Sequence, residues 1–144
     1  MIEWHFPEDS TKVRWALSSE KYVKEAIQNL ESDLAQGNQK LSTTATTPFT
    51  SGYRPELDVS PLLDDQRANY YQNLISILRW AVELGRIDVH VQVAMLAHYL
   101  VQPRQGHLEA AYHIFAYLKR HERSRMVFDD TLPFIDERRF MKAE

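Results

Sequence analysis

The stretch Tyr71-Gln72-Asn73-Leu74-Ile75-Ser76-Ile77-Leu78-Arg79-Trp80-Ala81 decides how this chain folds. Tyr71, Leu74, Ile75, Leu78, Val82 and Gly85 recur at three- and four-residue intervals, so a helix gathers them on one stripe. At about 100° per residue, Gln72, Ser76 and Trp80 form a second row, one turn apart and off that stripe. Large rings are buried on average, so Trp80 either meets a second element of the protein or serves a surface that meets something else. A flat ring, an amide and a small hydroxyl residue in line suit a surface laid along a nucleic-acid duplex.

The flanking residues extend the helical reading. Asp64 or Asp65 starts the helix at its positive end, and Gly85 ends it. Asp88 is placed to cap a following helix with two apolar stripes, Val89-Val93-Leu96-Leu100 and Val91-Met95-Tyr99, which predicts the central helix of a bundle. Pro103 ends that helix and Gly106 precedes the next, whose core face is Leu108, Ala111, Tyr112, Phe115 and Leu118. Met126-Val127-Phe128 reads as a short strand and Phe134 to Met141 as a loose tail.

Upstream the period changes. Trp4, Phe6, Val13, Trp15 and Leu17 alternate on either side of Pro7-Glu8-Asp9, predicting a hairpin with those residues on one buried face. Ser18 or Ser19 then caps a helix from about Glu20 to Ala35, ended by Gly37-Asn38, with Tyr22, Val23, Ala26, Ile27, Leu30 and Leu34 as its stripe. From Gln39 to Pro61 the composition turns to Thr, Ser, Pro and Gly without periodicity, an extended strap. The predicted fold is mainly α: a small N-terminal β-hairpin (1–19), a helix (20–36), an extended linker (37–63), a three-helix bundle (64–122) and a short strand with a tail (123–144).

The Tyr71–Ala81 stretch resembles the thumb helix of reverse transcriptases, where a Gln-x-Leu-Val-Gly-x-Leu-x-Trp run lies in the minor groove of the template-primer duplex. Gln72, Leu74, Leu78 and Trp80 match, Ile75 stands for Val and Ser76 for Gly. The surroundings resemble copia-type retrotransposon polyproteins in the same order. Lys12-Val13-Arg14-Trp15-Ala16-Leu17-Ser18-Ser19 with Lys21-Tyr22-Val23 is similar to their strand and helix start, and Gly85-Arg86-Ile87-Asp88 to their Arg-x-Asp turn. Pro103 to His107 with Ala110-Ala111 and Ile114-Phe115-Ala116-Tyr117-Leu118-Lys119 is similar to their Pro-His-Ala helix. The resemblance covers roughly residues 12 to 128. It implies a thumb and connection region, with the hairpin corresponding to the strands near the primer terminus. It also implies that Gln72, Ser76 and Trp80 touch the groove while Lys21, Lys24 or Arg79 contact phosphates.

A polymerase needs paired carboxylates for two metal ions, and the family carries them in a Tyr-x-Asp-Asp hairpin upstream of the thumb. Neither Asp-Asp pair here fits. Asp129-Asp130 follows Val127-Phe128, with Val127 where the aromatic should be, and reads as a loop; Asp64-Asp65 follows Leu62-Leu63 and reads as a helix start. The family's ribonuclease H carboxylates would lie beyond Glu144. The expectation is therefore a non-catalytic fragment, holding no cofactor of its own although the parent polymerase would use Mg. It would show no polymerase, nuclease or protease activity alone, with flanking polymerase and ribonuclease H modules and the template-primer duplex as partners. The chain reads as starting at an internal methionine of a longer frame.

At 144 residues with 44% hydrophobic and 26% charged content, the chain can bury one core. Zero cysteines remove thiolate catalysis, disulfides and Cys-based zinc sites, and no apolar run approaches bilayer length. These features predict an intracellular protein with no membrane partner, and the resemblance implies one that is cytoplasmic or particle-associated. The net charge of -3 argues against an autonomous nucleic-acid binder. Between 104 and 125, however, Arg104, Lys119, Arg120, Arg123 and Arg125 face only Glu109 and Glu122: a phosphate-facing cluster or a solvated helix end. His98, His107, His113 and His121 lack the spacing of a zinc peptidase and predict structural roles such as capping. From a different class, the rival reading is an independent helical interaction module whose Trp80 face docks a protein partner.

Overall fold

The computed structural model describes residues 2–5 and 14–128. Among them lie strands β1 (Ile2–His5) and β2 (Arg14–Ser18), helices α1 (Glu20–Gln36), α2 (Asp65–Glu83), α3 (His90–Ala97) and α4 (Gln105–Arg120), and strand β3 (Arg125–Phe128). The fold is mainly α with a small β element, as the periodicities predict. The Pro7-Glu8-Asp9 turn, Phe6, Val13, Asp129-Asp130 and the 134–141 tail fall outside the described residues.

Each helix begins and ends for a local reason. Asp64 caps α2 by accepting the Arg67 amide at 2.8 Å, and Gly85, at φ 106°, turns the chain away beyond it. Ser18 Oγ accepts the Glu20 amide at 3.3 Å ahead of α1, and Asn38 takes a left-handed φ of 57° after it. The stripes then interlock: Val23, Ile27, Leu30 and Leu34 of α1, Tyr71, Leu74, Ile75 and Leu78 of α2, Val93 and Leu96 of α3, and Leu108, Ile114, Phe115 and Leu118 of α4 form one buried cluster. Helix α1 is thus a fourth member of the bundle. Tyr112 lies half-buried against this core.

The structure corrects three expectations. The central helix is α4, buried on Ala110, Ala111, Ile114, Phe115, Ala116 and Leu118, whereas α3 stops at Ala97 and leaves Val91 of its second stripe 64% exposed. Asp88 does not cap α3; it forks onto Arg86 instead. Gly106 lies within the first turn of α4, not before it. A side chain there would overlap the Asp58 carboxylate, so the position is steric.

β2 is the middle strand of an antiparallel sheet, paired with β1 (Trp4 opposite Trp15) and with β3 (Trp15 opposite Phe128). The predicted phase of β2 is only partly right. Leu17 packs over the Gly85 turn, but Trp15 is 48% exposed, and the opposite face carries the fully buried Ala16 and Ser18. The small residues, not the ring, let this strand approach the core.

The strap holds one short 3-10 turn, Pro55–Leu57, and buries Leu41, Ala45 and Pro55. It runs antiparallel along α4, fastened by side chains to its backbone carbonyls. Arg104 donates to Ser60 (2.6 Å), His107 to Pro55 (3.1 Å), His113 to Thr47 (3.0 Å) and Arg120 to Thr43 (3.4 Å). The buried His107 also accepts the Arg104 amide on Nδ1, which fixes the neutral Nε2–H tautomer and makes it a cap for α4. Four further bonds close the near end. Asp58 accepts from Tyr53 (2.8 Å) and from the Ser60 hydroxyl and amide, and Ser60 Oγ accepts the Gly106 amide (2.8 Å). Burial by itself would push Asp58 up, yet these donors hold its carboxyl below the usual carboxylate range.

Candidate nucleic-acid interface

Because α2 buries Tyr71, Leu74, Ile75, Leu78 and Ala81, its opposite side must face outward. That side carries Gln72, Ser76, Arg79 and Trp80, all exposed. Trp80 is 63% exposed, so no second element among the described residues covers it. The ring, Ser76, Arg79 and Glu83 line an open depression of about 280 Å³. The predicted row is therefore a real surface, continuous over two turns of a helix that the core holds rigidly.

Its polar groups are partly committed. Gln72 Nε2 donates to the Leu100 carbonyl at 2.8 Å, which pins the amide beside the loop after α3. Ser76 Oγ donates back to the Gln72 carbonyl at 2.9 Å, so the hydroxyl lies along its own helix and adds little bulk to the row. The neutral row leaves Trp80 as its one large protruding group.

The candidate phosphate contacts divide. Lys24 lies 2.6 Å from Glu20 and 3.7 Å from Glu122, and its bond to Glu20 raises the ammonium pKa while lowering that of the carboxyl. Its charge is already balanced. Lys21 and Arg79 are exposed and have no ion-pair partner among the described residues. In the 104–125 cluster, Lys119 pairs with Glu31, Arg104 and Arg120 hold the strap, and Arg123 and Arg125 stay exposed near Glu20. The cluster is mostly structural, the solvated-end reading with specific partners added.

The end of α2 is locked by an arrangement that periodicity does not reveal. Arg86, 1% exposed, donates Nε (2.9 Å) and Nη2 (2.7 Å) to Asp88 and Nη1 (3.1 Å) to the His121 carbonyl at the end of α4. Its guanidinium lies 6.0 Å from the centre of the Tyr117 ring. Burial pushes Asp88 up, but the Arg86 fork holds it below its ordinary value. One residue thus joins the α2–α3 turn to the end of α4. The Arg86-x-Asp88 pattern was its signal in the sequence; that Arg86 would be buried was not.

Among the described residues no group of three or more His, Asp or Glu side chains could hold a metal ion, and no helix is long and apolar enough to cross a membrane. Compared with protein-family models, curated proteins and solved structures, the chain has no significant match to any of the three.

Proposed function

We propose that this chain is the thumb and connection segment of a copia-type reverse transcriptase, and that α2 is the element gripping the template-primer duplex. The exposure of Trp80 on a helix whose other face is sealed carries the reading: a ring left in solvent on a rigid support contributes to binding, not to folding. Gln72, Ser76 and Trp80 would follow the minor groove, while Lys21 and Arg79 meet phosphates and Lys24 stays with its carboxylates. Catalysis and Mg would belong to a polymerase module, and the ribonuclease H module would follow β3. The segment would work inside the cell, in the cytoplasm or a particle. A net charge of -3 fits a segment that borrows most of its duplex affinity from its neighbours.

Two measurements test this. The reading frame around the gene should encode a Tyr-x-Asp-Asp motif upstream; its absence from an intact frame would remove the proposal. In the assembled polymerase, Trp80→Ala should shorten the product made per binding event while leaving the protein folded.

One observation favours the rival protein-docking reading. Ile87, in the 3-10 turn before α3, and Val91, in the first turn of α3, are 63% and 64% exposed, an apolar pair just after α2. If a protein covers this side, Ile87→Ser should abolish a complex that Trp80→Ala also weakens, with duplex binding unchanged.

A further inference from the structure

The strap contains two hydroxyl residues followed by proline, Thr47-Pro48 and Ser60-Pro61, and the fold treats them in opposite ways. Ser60 is half-buried. Its hydroxyl donates to Asp58 and accepts the Gly106 amide at 2.8 Å, while its carbonyl accepts from Arg104. Thr47 is exposed in a segment without regular structure, between Thr46 and Pro48, and its hydroxyl makes one local bond, to the Phe49 carbonyl at 2.7 Å. A proline at the next position disfavours helix for Thr47 and biases it towards extended backbone. Thr47 sits at the start of a bend over residues 47–49, outside any helix or strand, and an accessible hydroxyl residue before proline in such a segment is the substrate that a proline-directed protein kinase takes into its cleft.

We propose that Thr47 is a phosphorylation site for such a kinase and that the clamp around Asp58 withholds Ser60 from the same enzyme. The γ-phosphoryl group of a nucleoside triphosphate passes to Thr47 Oγ1. The O–H bond breaks and its proton goes to the kinase's catalytic base; an O–P bond forms, and the nucleoside diphosphate leaves with the electrons of the broken P–O bond. The product carries roughly -1.5 to -2 charge. That charge arrives on the residue whose carbonyl His113 of α4 already holds at 3.0 Å, four residues beyond the Thr43 carbonyl held by Arg120. On the α4 side Arg120 supplies a permanent cation and His113 an N–H donor, and phosphorylation tightens the strap on α4.

The test uses the full chain, a purified proline-directed serine/threonine kinase and magnesium-ATP, with sites mapped by peptide mass spectrometry. Thr47 should be modified at least about tenfold faster than Ser60, because Ser60 must first open locally. Thr47→Ala should abolish the early phosphate without moving it, and Asp58→Ala should admit phosphate at Ser60. The modified chain should show slower amide exchange across residues 43–50, an effect lost in His113→Ala. Similar rates at both sites in the native chain, or no phosphate on Thr47, would overturn the assignment; unchanged exchange after full modification would overturn the tightening.

Discussion

Gly106 and Asp58 occupy each other's space: any side chain at 106 would overlap Asp58 Oδ2, and that carboxylate is held in place by Tyr53 and Ser60. The glycine in the first turn of α4 is therefore a seat for the strap. Gly106→Ala should destabilise the protein, although alanine is the better helix former by about 1 kcal/mol. In an Asp58→Ala background the same change should cost nothing or stabilise, because the obstruction has gone. Urea midpoints of the four proteins form the cycle; equal effects of Gly106→Ala in both backgrounds would show that the seat is not the reason for the glycine.

The Arg86–Asp88 fork gives a second asymmetric pair. Asp88→Ala leaves a buried guanidinium without its carboxylate, and should cost about 3 kcal/mol, the low end for a broken buried pair since Asp88 keeps some solvent contact. Arg86→Met removes the charge and keeps the stem, so it should cost clearly less. Thermal melts of the two variants decide it. If Arg86→Met proves the worse, the fork is a net source of stability and not a fixed joint.

How far the sequence could be read depends on the element. The stripes of α1, α2 and α4 repeat over four turns or more, and such length makes the helical period unambiguous. The α3 region is shorter, and its apolar residues lie on both sides, which left Val91 with a predicted burial that the chain does not provide. Alternation in β2 gave the period but not the phase, because the core accepts the small Ala16 and Ser18 of one face while Trp15, on the face of Leu17, stays 48% exposed. The Trp80 row was legible because it broke a pattern. The strap fastening was not, since its acceptors are backbone carbonyls, which every residue has.

Alkali should unfold this protein through its phenols. Burial raises the pKa values of Tyr53, Tyr70 and Tyr71 well above the ordinary range, and those of Tyr22, Tyr112 and Tyr117 in the same direction. Between the unfolded phenol value, about 10, and the raised folded values, the unfolded chain has lost protons that the folded chain keeps. Stability is thus complete below about pH 10 and falls as the pH rises through that window. Tyrosinate absorbance should rise together with loss of helical circular dichroism. Full tyrosine ionisation with the helices intact would contradict the burial argument.

Leu78 and Trp80 are two residues apart on α2 and should respond to truncation in opposite registers. Leu78 is fully buried against the other helices, so Leu78→Ala removes packed methyl groups and leaves a cavity, at a cost of roughly 2 to 5 kcal/mol. Trp80 is 63% exposed, and its removal exchanges mostly hydrated surface for hydrated surface. Trp80→Ala should shift stability by no more than about 0.5 kcal/mol, within the range of surface substitutions. The same pair should invert in a binding assay with the assembled polymerase and a template-primer duplex: Trp80→Ala weakens retention on the duplex, while Leu78→Ala, assayed at a temperature where it remains folded, does not. Denaturant midpoints and duplex dissociation rates on the two variants supply both axes. A Trp80→Ala protein that unfolds as readily as Leu78→Ala would place the ring in the core, and one that stays folded and holds the duplex normally would leave α2 without its proposed role.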